Sequence, residues 1–190
     1  MDRAFEGRLL PGEKVLWEGR PKPGLLFTGR DLFLVPFSVM WCGFAVFWTI
    51  GASSALGGLP SQAPAPFSFF PLFGLIFVCV GLYFVGGRFL VDAWLRDRTR
   101  YALTDQRALI VRAPPFGAVT ALSLDRLSDM QLKEGVGGAG TIRLGPATPF
   151  FGRAGFSVWS PALDPTPQFL AIPDARRVFD LVQRRSTRPT

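Results

Sequence analysis

Side chains that could do chemistry are few in this 190-residue chain, which contains no histidine. The usual general base is therefore missing, although carboxylates can substitute for it. Asp125 and Asp129 could form an acid–base pair, but both are expected beside strand turns, without an accompanying nucleophile or oxyanion site. Cys42 and Cys79 lack the spacing of metal ligands, so we interpret them as small apolar side chains. We therefore predict no catalytic residue, no metal site and no bound cofactor.

One glycine-rich segment resembles a nucleotide-binding loop in its spacing alone. Residues 135–140 match the pattern Gly-x-Gly-x-x-Gly. A dinucleotide fingerprint needs a strand before this loop, a helix after it and an acidic residue about twenty positions later. Here residues 141–144 predict a strand, and Pro146 and Pro149 exclude a helix. We interpret the segment as a flexible connection between two strands.

A group of arginines is the remaining candidate site. Its members are Arg88, Arg96, Arg98, Arg100 and Arg107. Each cation near an anionic membrane surface can contribute about 1 kcal/mol of binding free energy. Two interpretations stay open: ordinary positively charged anchors at a membrane edge, which we favour, and a site for lipid headgroups.

The element that would position these arginines is a long segment without charge. From Leu32 to Gly87 the chain has no Asp, Glu, Lys or Arg, and a Gly- and Pro-rich stretch, 57–66, interrupts it. On either side, residues 32–54 and 68–90 each have roughly the 20 apolar residues that cross a bilayer. We predict a transmembrane hairpin over 32–90 with a loop at 55–67. A lead-in, 1–31, precedes it and contains a possible strand at 13–19.

The distribution of positive charge predicts how this hairpin is oriented. All 21 Lys and Arg residues lie outside Leu32–Gly87. Because Lys and Arg near membrane ends stay on the cytoplasmic side, we expect both termini in the cytoplasm and the loop on the far side. The net charge of +7 is then mostly a topology signal, and we predict no nucleic-acid partner.

After the hairpin the composition changes to short apolar runs separated by turn residues, which is typical of an all-β domain. The predicted strands are 99–104, 107–112, 118–124, 128–133, 141–144, 155–159 and 168–172. Pro173 and Asp174 then predict the start of a helix over 175–185, with Val178, Leu181 and Val182 on one face. We predict a domain over 96–186 and a tail over 187–190.

The order of these elements resembles the bacterial PH-domain membrane proteins. In that family a Tyr-x-(Leu/Val)-Thr-(Asp/Asn)-x-Arg stretch follows a pair of transmembrane helices, and Tyr101, Leu103, Thr104, Asp105 and Arg107 match it here. Residues 10–21 are also similar to the lead-in of many members. From the residues alone we interpret Thr104, Asp105 and Arg107 as structural, because Thr and Asp side chains can hold a strand reversal.

The resemblance implies an α+β membrane protein, in which a transmembrane hairpin carries a PH-like, seven-stranded β-sandwich or barrel capped by a C-terminal helix. It also implies a multi-pass protein of the bacterial inner membrane, and little about activity. We expect a non-catalytic interaction module at the cytoplasmic face that binds a protein, a peptide or a lipid headgroup. The alternative is an accessory or assembly subunit of a larger membrane complex, and an enzyme is the third hypothesis. Pairing of two copies through the hairpin stays open.

Overall fold

The computed structural model describes residues 3–57, 70–115, 117–127, 129–135, 139–145 and 160–186. The protein is α+β, with two long apolar helical segments and two antiparallel sheets of four and three strands. The chain divides into two compact units. The apolar unit is Leu26–Val91, and the β-rich unit combines Met1–Leu25 with Asp92–Thr190. Most of the predicted lead-in therefore belongs to the β-rich unit.

The apolar unit consists of the two predicted helices. Helix α1 spans Asp31–Gly57. Helix α2 spans Phe70–Leu82 and continues through a π-helical turn, Tyr83–Gly87, into α3 at Arg88–Asp97. From Asp92 onward, the residues of α3 belong to the β-rich unit. Most of the predicted loop, residues 58–67, lies outside the described residues.

Both helical segments are long and apolar enough to cross a membrane, over Asp31–Ser54 and Phe73–Asp97. Only 11% and 22% of their most apolar windows are buried inside the protein. The apolar side chains that would fill the core of a soluble helical protein are therefore exposed, which is unfavourable in water.

Small residues let α1 and α2 approach each other closely. A Cβ atom added at Gly81 would lie 2.9 Å from the Cα atom of Cys42, and Gly74 is similarly close to Thr49. The two contact positions are seven residues apart on each helix, which is two helical turns, so a single stripe along each helix forms the contact. By contrast, a Cβ atom at Gly86 would meet nothing within 4 Å. Gly74 and Gly81 therefore make close contacts with α1, whereas Gly86 does not.

The β-rich unit contains two sheets whose strands follow one another in sequence order. The first sheet is β1 (Val15–Gly19), β2 (Thr99–Thr104), β3 (Arg107–Arg112) and β4 (Ala118–Ser123). The second is β5 (Met130–Glu134), β6 (Gly140–Leu144) and β7 (Gln168–Ile172), and helix α4 (Ala175–Ser186) follows. Strand β1 lies within the possible strand 13–19 and pairs with β2. The predicted strand 155–159 lies outside the described residues.

Both faces of the first sheet pack against a hydrophobic cluster. Strands β2 and β3 have apolar residues at consecutive positions, and successive side chains of a strand point to opposite faces. Tyr101, Leu103 and Ala108 face a core shared with the second sheet and with Val178 and Val182 of α4. The expected packing of α4 is thus present, with Leu181 at the edge of this core. On the opposite face Ala102, Leu109 and Val111 pack against Phe5. Within the described residues no strand pairing joins the two sheets, so they do not form a closed barrel.

Candidate binding site

The predicted arginine group separates into different environments, beginning with Arg88 in the apolar unit. Arg88 is only 2% exposed, and its Nη2 atom lies 2.7 Å from Oδ1 of Asp31. Its Nε atom also donates to the carbonyl of Phe84. Asp31 accepts further hydrogen bonds from the backbone N–H and the hydroxyl of Thr28. This ion pair joins the first residue of α1 to the first residue of α3.

Arg96 forms a second buried ion pair, with Asp92 one helical turn earlier. The Nε atom of Arg96 lies 2.7 Å from Oδ2 of Asp92, and its two Nη atoms donate to the carbonyls of Lys22 and Gly24. The other carboxylate oxygen of Asp92 accepts from the Ser160 hydroxyl and from the backbone N–H of Ala162. A buried ion pair is stable when further hydrogen bonds satisfy its remaining atoms. This pair fixes two distant segments of the β-rich unit, 22–24 and 160–162, to the end of α3.

Arg107 forms a bidentate ion pair with Glu13 of the lead-in. Its Nε and Nη2 atoms each lie 2.9 Å from a carboxylate oxygen of Glu13. The Thr104 hydroxyl and the Leu10 backbone N–H donate to the same carboxylate. The hydrogen bonds from Arg107 lower the pKa of Glu13 from 4.5 to about 2, and Glu13 in turn raises the pKa of Arg107.

The carboxylate of Asp105 also contacts the lead-in, where it accepts a hydrogen bond from the backbone N–H of Lys14 at 2.9 Å. The carbonyl of Lys14 accepts in return from the backbone N–H of Asp105 at 3.0 Å. The residues that match the family motif after the second span, Thr104, Asp105 and Arg107, therefore hold the lead-in to the β2–β3 hairpin.

Arg98 and Arg100 lie closer to solvent. The Arg98 guanidinium lies 4.4 Å from the centre of the Trp94 ring and donates to the carbonyl of Pro114. Arg100 is half-buried and donates to the carbonyl of Asp97 at 2.6 Å. Trp94 is itself 39% exposed. Each of the five arginines thus has its own partners within its unit, and a headgroup role for the whole group stays a prediction.

A cleft that sequence reasoning missed lies on one face of the first sheet. The strand register places Thr99 opposite Arg112 and Tyr101 opposite Ile110. Cross-strand partners share a face, so these side chains line one wall. The other wall is the segment from Pro161 to Leu170, and the volume is about 230 Å³. The lining residues are Arg96, Thr99, Tyr101, Ile110, Arg112, Ala118, Thr120, Pro161, Ala162, Asp164, Pro165, Thr166, Pro167, Gln168 and Leu170.

Among the described residues, two polar side chains that line this cleft each have one donor without an acceptor. The Nη2 atom of Arg112 donates to the Ala162 carbonyl at 2.7 Å, but its Nε atom is buried without an acceptor among the described residues. The Tyr101 hydroxyl accepts from the backbone N–H of Leu170 at 3.1 Å. Burial raises the pKa of Tyr101 to about 12, so the hydroxyl keeps its proton at neutral pH. The sequence signal for this site was weak: a single arginine at the end of a mostly apolar strand.

No protein-family model, curated protein or solved structure matches this chain. The resemblance to bacterial PH-domain membrane proteins therefore stays a prediction.

Proposed function

We propose that this protein is a non-catalytic interaction module held at the cytoplasmic face of the bacterial inner membrane by a two-helix anchor. The observation that carries the proposal is the low burial, 11% and 22%, of two helices long enough to span a bilayer. Lipid is the solvent in which such outward-facing apolar side chains are stable. The β-rich unit has its own core and therefore needs no burial against the anchor.

The pairing of β1 with β2 supports a hairpin that returns to the side where it starts. Strand β1 precedes the apolar segment in the chain, and β2 follows it. Two strands of one sheet lie in the same compartment, so the chain between them crosses a membrane an even number of times. The confinement of Lys and Arg to the flanks then favours the cytoplasm for both termini.

The arrangement of the β-rich unit supports a PH-like domain. Four strands and then three strands follow in sequence order, and a C-terminal amphipathic helix packs on the core between them. In this proposal β1 is the first strand of the domain, and the membrane hairpin is an insertion between its first and second strands. A fold of this kind does not by itself determine a function, so the interaction role is inferred from the side chains described above.

Trp94, Arg98 and Arg100 are the residues that we propose meet lipid headgroups. Trp and Arg side chains suit the membrane interface because each has an apolar part and a polar end. Arg88 and Arg96 contribute less directly, since each is only 2% exposed, and Arg107 lies against Glu13 of the lead-in. At about 1 kcal/mol per cation, two arginines orient a domain at an anionic surface without selecting one lipid.

Thiol labelling in intact cells tests the anchor and its orientation. Cys42 and Cys79 are first replaced by alanine, and single cysteines are introduced as Ser61→Cys in the proposed loop and Ser186→Cys at the end of α4. We expect an impermeant thiol reagent to label Ser61→Cys in intact cells and Ser186→Cys only after lysis. Labelling of Ser186→Cys alone would reverse the orientation.

Alkaline extraction provides the matching test of insertion. A transmembrane hairpin stays in the membrane pellet at high pH and leaves it only with detergent. Release of the full-length protein by alkali without detergent would refute the two-helix anchor, whatever the labelling shows.

A further inference from the structure

We propose that the cleft beside Arg112 binds a small monocarboxylate with a short apolar body. The inference deepens the proposed function, because it names a ligand class for the interaction module. The cleft lies entirely within the β-rich unit, so it can be tested in detergent without reference to a bilayer.

The donors in the cleft favour an acceptor group with two oxygens. The Arg112 Nε atom is buried and lacks an acceptor among the described residues. A buried donor left unsatisfied costs about 1–3 kcal/mol, so a ligand oxygen at this position removes that cost. The Tyr101 hydroxyl uses its oxygen to accept from Leu170, which leaves its proton for a second ligand oxygen. Planar carboxylates match the edge of a guanidinium group.

The charges around the cleft favour a single negative charge. Arg96 is already neutralised by Asp92, at 2.7 Å. For Arg112 the structure gives a backbone carbonyl as its hydrogen-bond acceptor, so its charge is not balanced by a carboxylate within the described residues. Asp164 also lines the cleft, but its carboxylate lies 3.7 Å from the Nη2 atom of Arg143, so it is already paired and does not balance Arg112. One cation without a carboxylate partner among the described residues therefore suits a monoanion better than a dianion such as phosphate.

The size and the remaining lining set the body of the ligand. At about 230 Å³ the cleft is smaller than the roughly 300–1,000 Å³ of sites for drug-sized molecules. Ile110, Leu170 and three proline rings provide apolar surface beside the arginine. A single aliphatic group next to the carboxylate fits these limits, either as a free small acid or as the last residue of a peptide.

The test measures binding of N-acetyl-leucine and of its amide to the full-length protein in detergent by calorimetry. We expect the acid to bind at least about tenfold more tightly than the amide, because a charge-assisted hydrogen bond is lost in the amide. Short peptides that end in leucine, with a free or an amidated terminus, form the second arm. Binding of the free peptide shows that the cleft takes a chain end, and binding of N-acetyl-leucine alone shows that it takes a free acid.

Variants locate the binding in the cleft. Arg112→Gln should weaken the binding of N-acetyl-leucine about tenfold or more. The control Arg177→Gln, which replaces an exposed arginine on α4, should leave that affinity unchanged. The preference for acid over amide in the unaltered protein needs no variant, so it decides the matter even if Arg112→Gln does not fold.

Equal binding of acid and amide, or no binding of either at millimolar concentration, would overturn the proposal. So would tighter binding of inorganic phosphate than of the acid, or unchanged affinity in a folded Arg112→Gln variant. None of these results bears on the membrane anchor, which the labelling and extraction experiments test separately.

Discussion

Replacing Glu13 with glutamine removes the negative charge that binds the lead-in to the β2–β3 hairpin. The Glu13 side chain is fully buried and accepts hydrogen bonds from Arg107, Thr104 and Leu10. Its pKa is lowered from 4.5 to about 2. At about 1.4 kcal/mol per pKa unit, the charged carboxylate contributes about 3 kcal/mol to the stability of the β-rich unit at pH 7. This is a large part of the roughly 5–15 kcal/mol that stabilises a typical domain.

The same shift predicts how the effect changes with pH. A group whose pKa is lowered by folding stabilises the folded state fully above its unfolded pKa, here 4.5, and loses that contribution as the pH falls through the folded pKa, about 2. The stability difference between the unaltered protein and Glu13→Gln should therefore shrink from about 3 kcal/mol at pH 7 to about 1.5 kcal/mol at pH 3.

Denaturant unfolding of the full-length protein in detergent, followed by β-sheet circular dichroism, measures this difference. Glu6→Gln is the matched control, because Glu6 lies in the same lead-in but is exposed. Combining Glu13→Gln with Arg107→Gln should cost less than the sum of the two single changes, since both remove one interaction. A difference below about 1 kcal/mol at pH 7, or one that is the same at pH 3, would refute the assigned role of this ion pair.

Three further changes test packing in the two units. Gly81→Leu should destabilise the pair of α1 and α2 in detergent by about 1–3 kcal/mol or more, because the leucine side chain would overlap the backbone of α1. The Gly43→Leu protein, in which the new side chain meets open space, should have an unchanged melting curve when helical circular dichroism is followed. Val182→Asp should abolish the cooperative unfolding of the β-rich unit, because it buries an unpaired carboxylate. The control Arg185→Ala, at an exposed position of α4, should change the stability of that unit by less than about 0.5 kcal/mol. Tyr101→Phe should destabilise the β-rich unit by about 1–3 kcal/mol, because it leaves the buried backbone N–H of Leu170 unpaired. Since burial raises the pKa of Tyr101 to about 12, the variant should lose the part of the tyrosine absorbance change that occurs near pH 12; loss of a change near the ordinary pKa of 10.0 instead would contradict the assignment.

Features set by neighbouring residues were predictable from the sequence. The charge gap predicted the two apolar helices, because each half of it has the length of a bilayer-spanning helix. Short apolar runs separated by turn residues predicted the strands. The helical spacing of Val178 and Val182 likewise predicted the buried face of α4. These predictions needed no knowledge of which segments meet in space.

Features made by distant residues were not predictable in the same way. Glu13 and Arg107 are 94 positions apart, and Asp92 meets Ala162 across 70 positions, so no local pattern connects them. The arginines near the second span looked alike in sequence, yet burial and partners give them different roles. The cleft depends on the register of β2, β3 and β4 and on the segment 161–170, which comes after β6 in the chain. Its arginine carried no distinguishing spacing.

The pairing of β1 with β2 also has a consequence for the order of events during synthesis. Strand β1 leaves the ribosome first, but its partner emerges only after the whole apolar segment has been made. Until then β1, Glu13 and Phe5 lack their partners from β2 and β3, so the sheet closes through contacts of long sequence separation, which form slowly. In the proposed arrangement, the apolar segment is therefore available for insertion before the first sheet can be completed. A chain whose hairpin failed to insert would leave its apolar helices in water, and exposed apolar surface of this kind promotes aggregation.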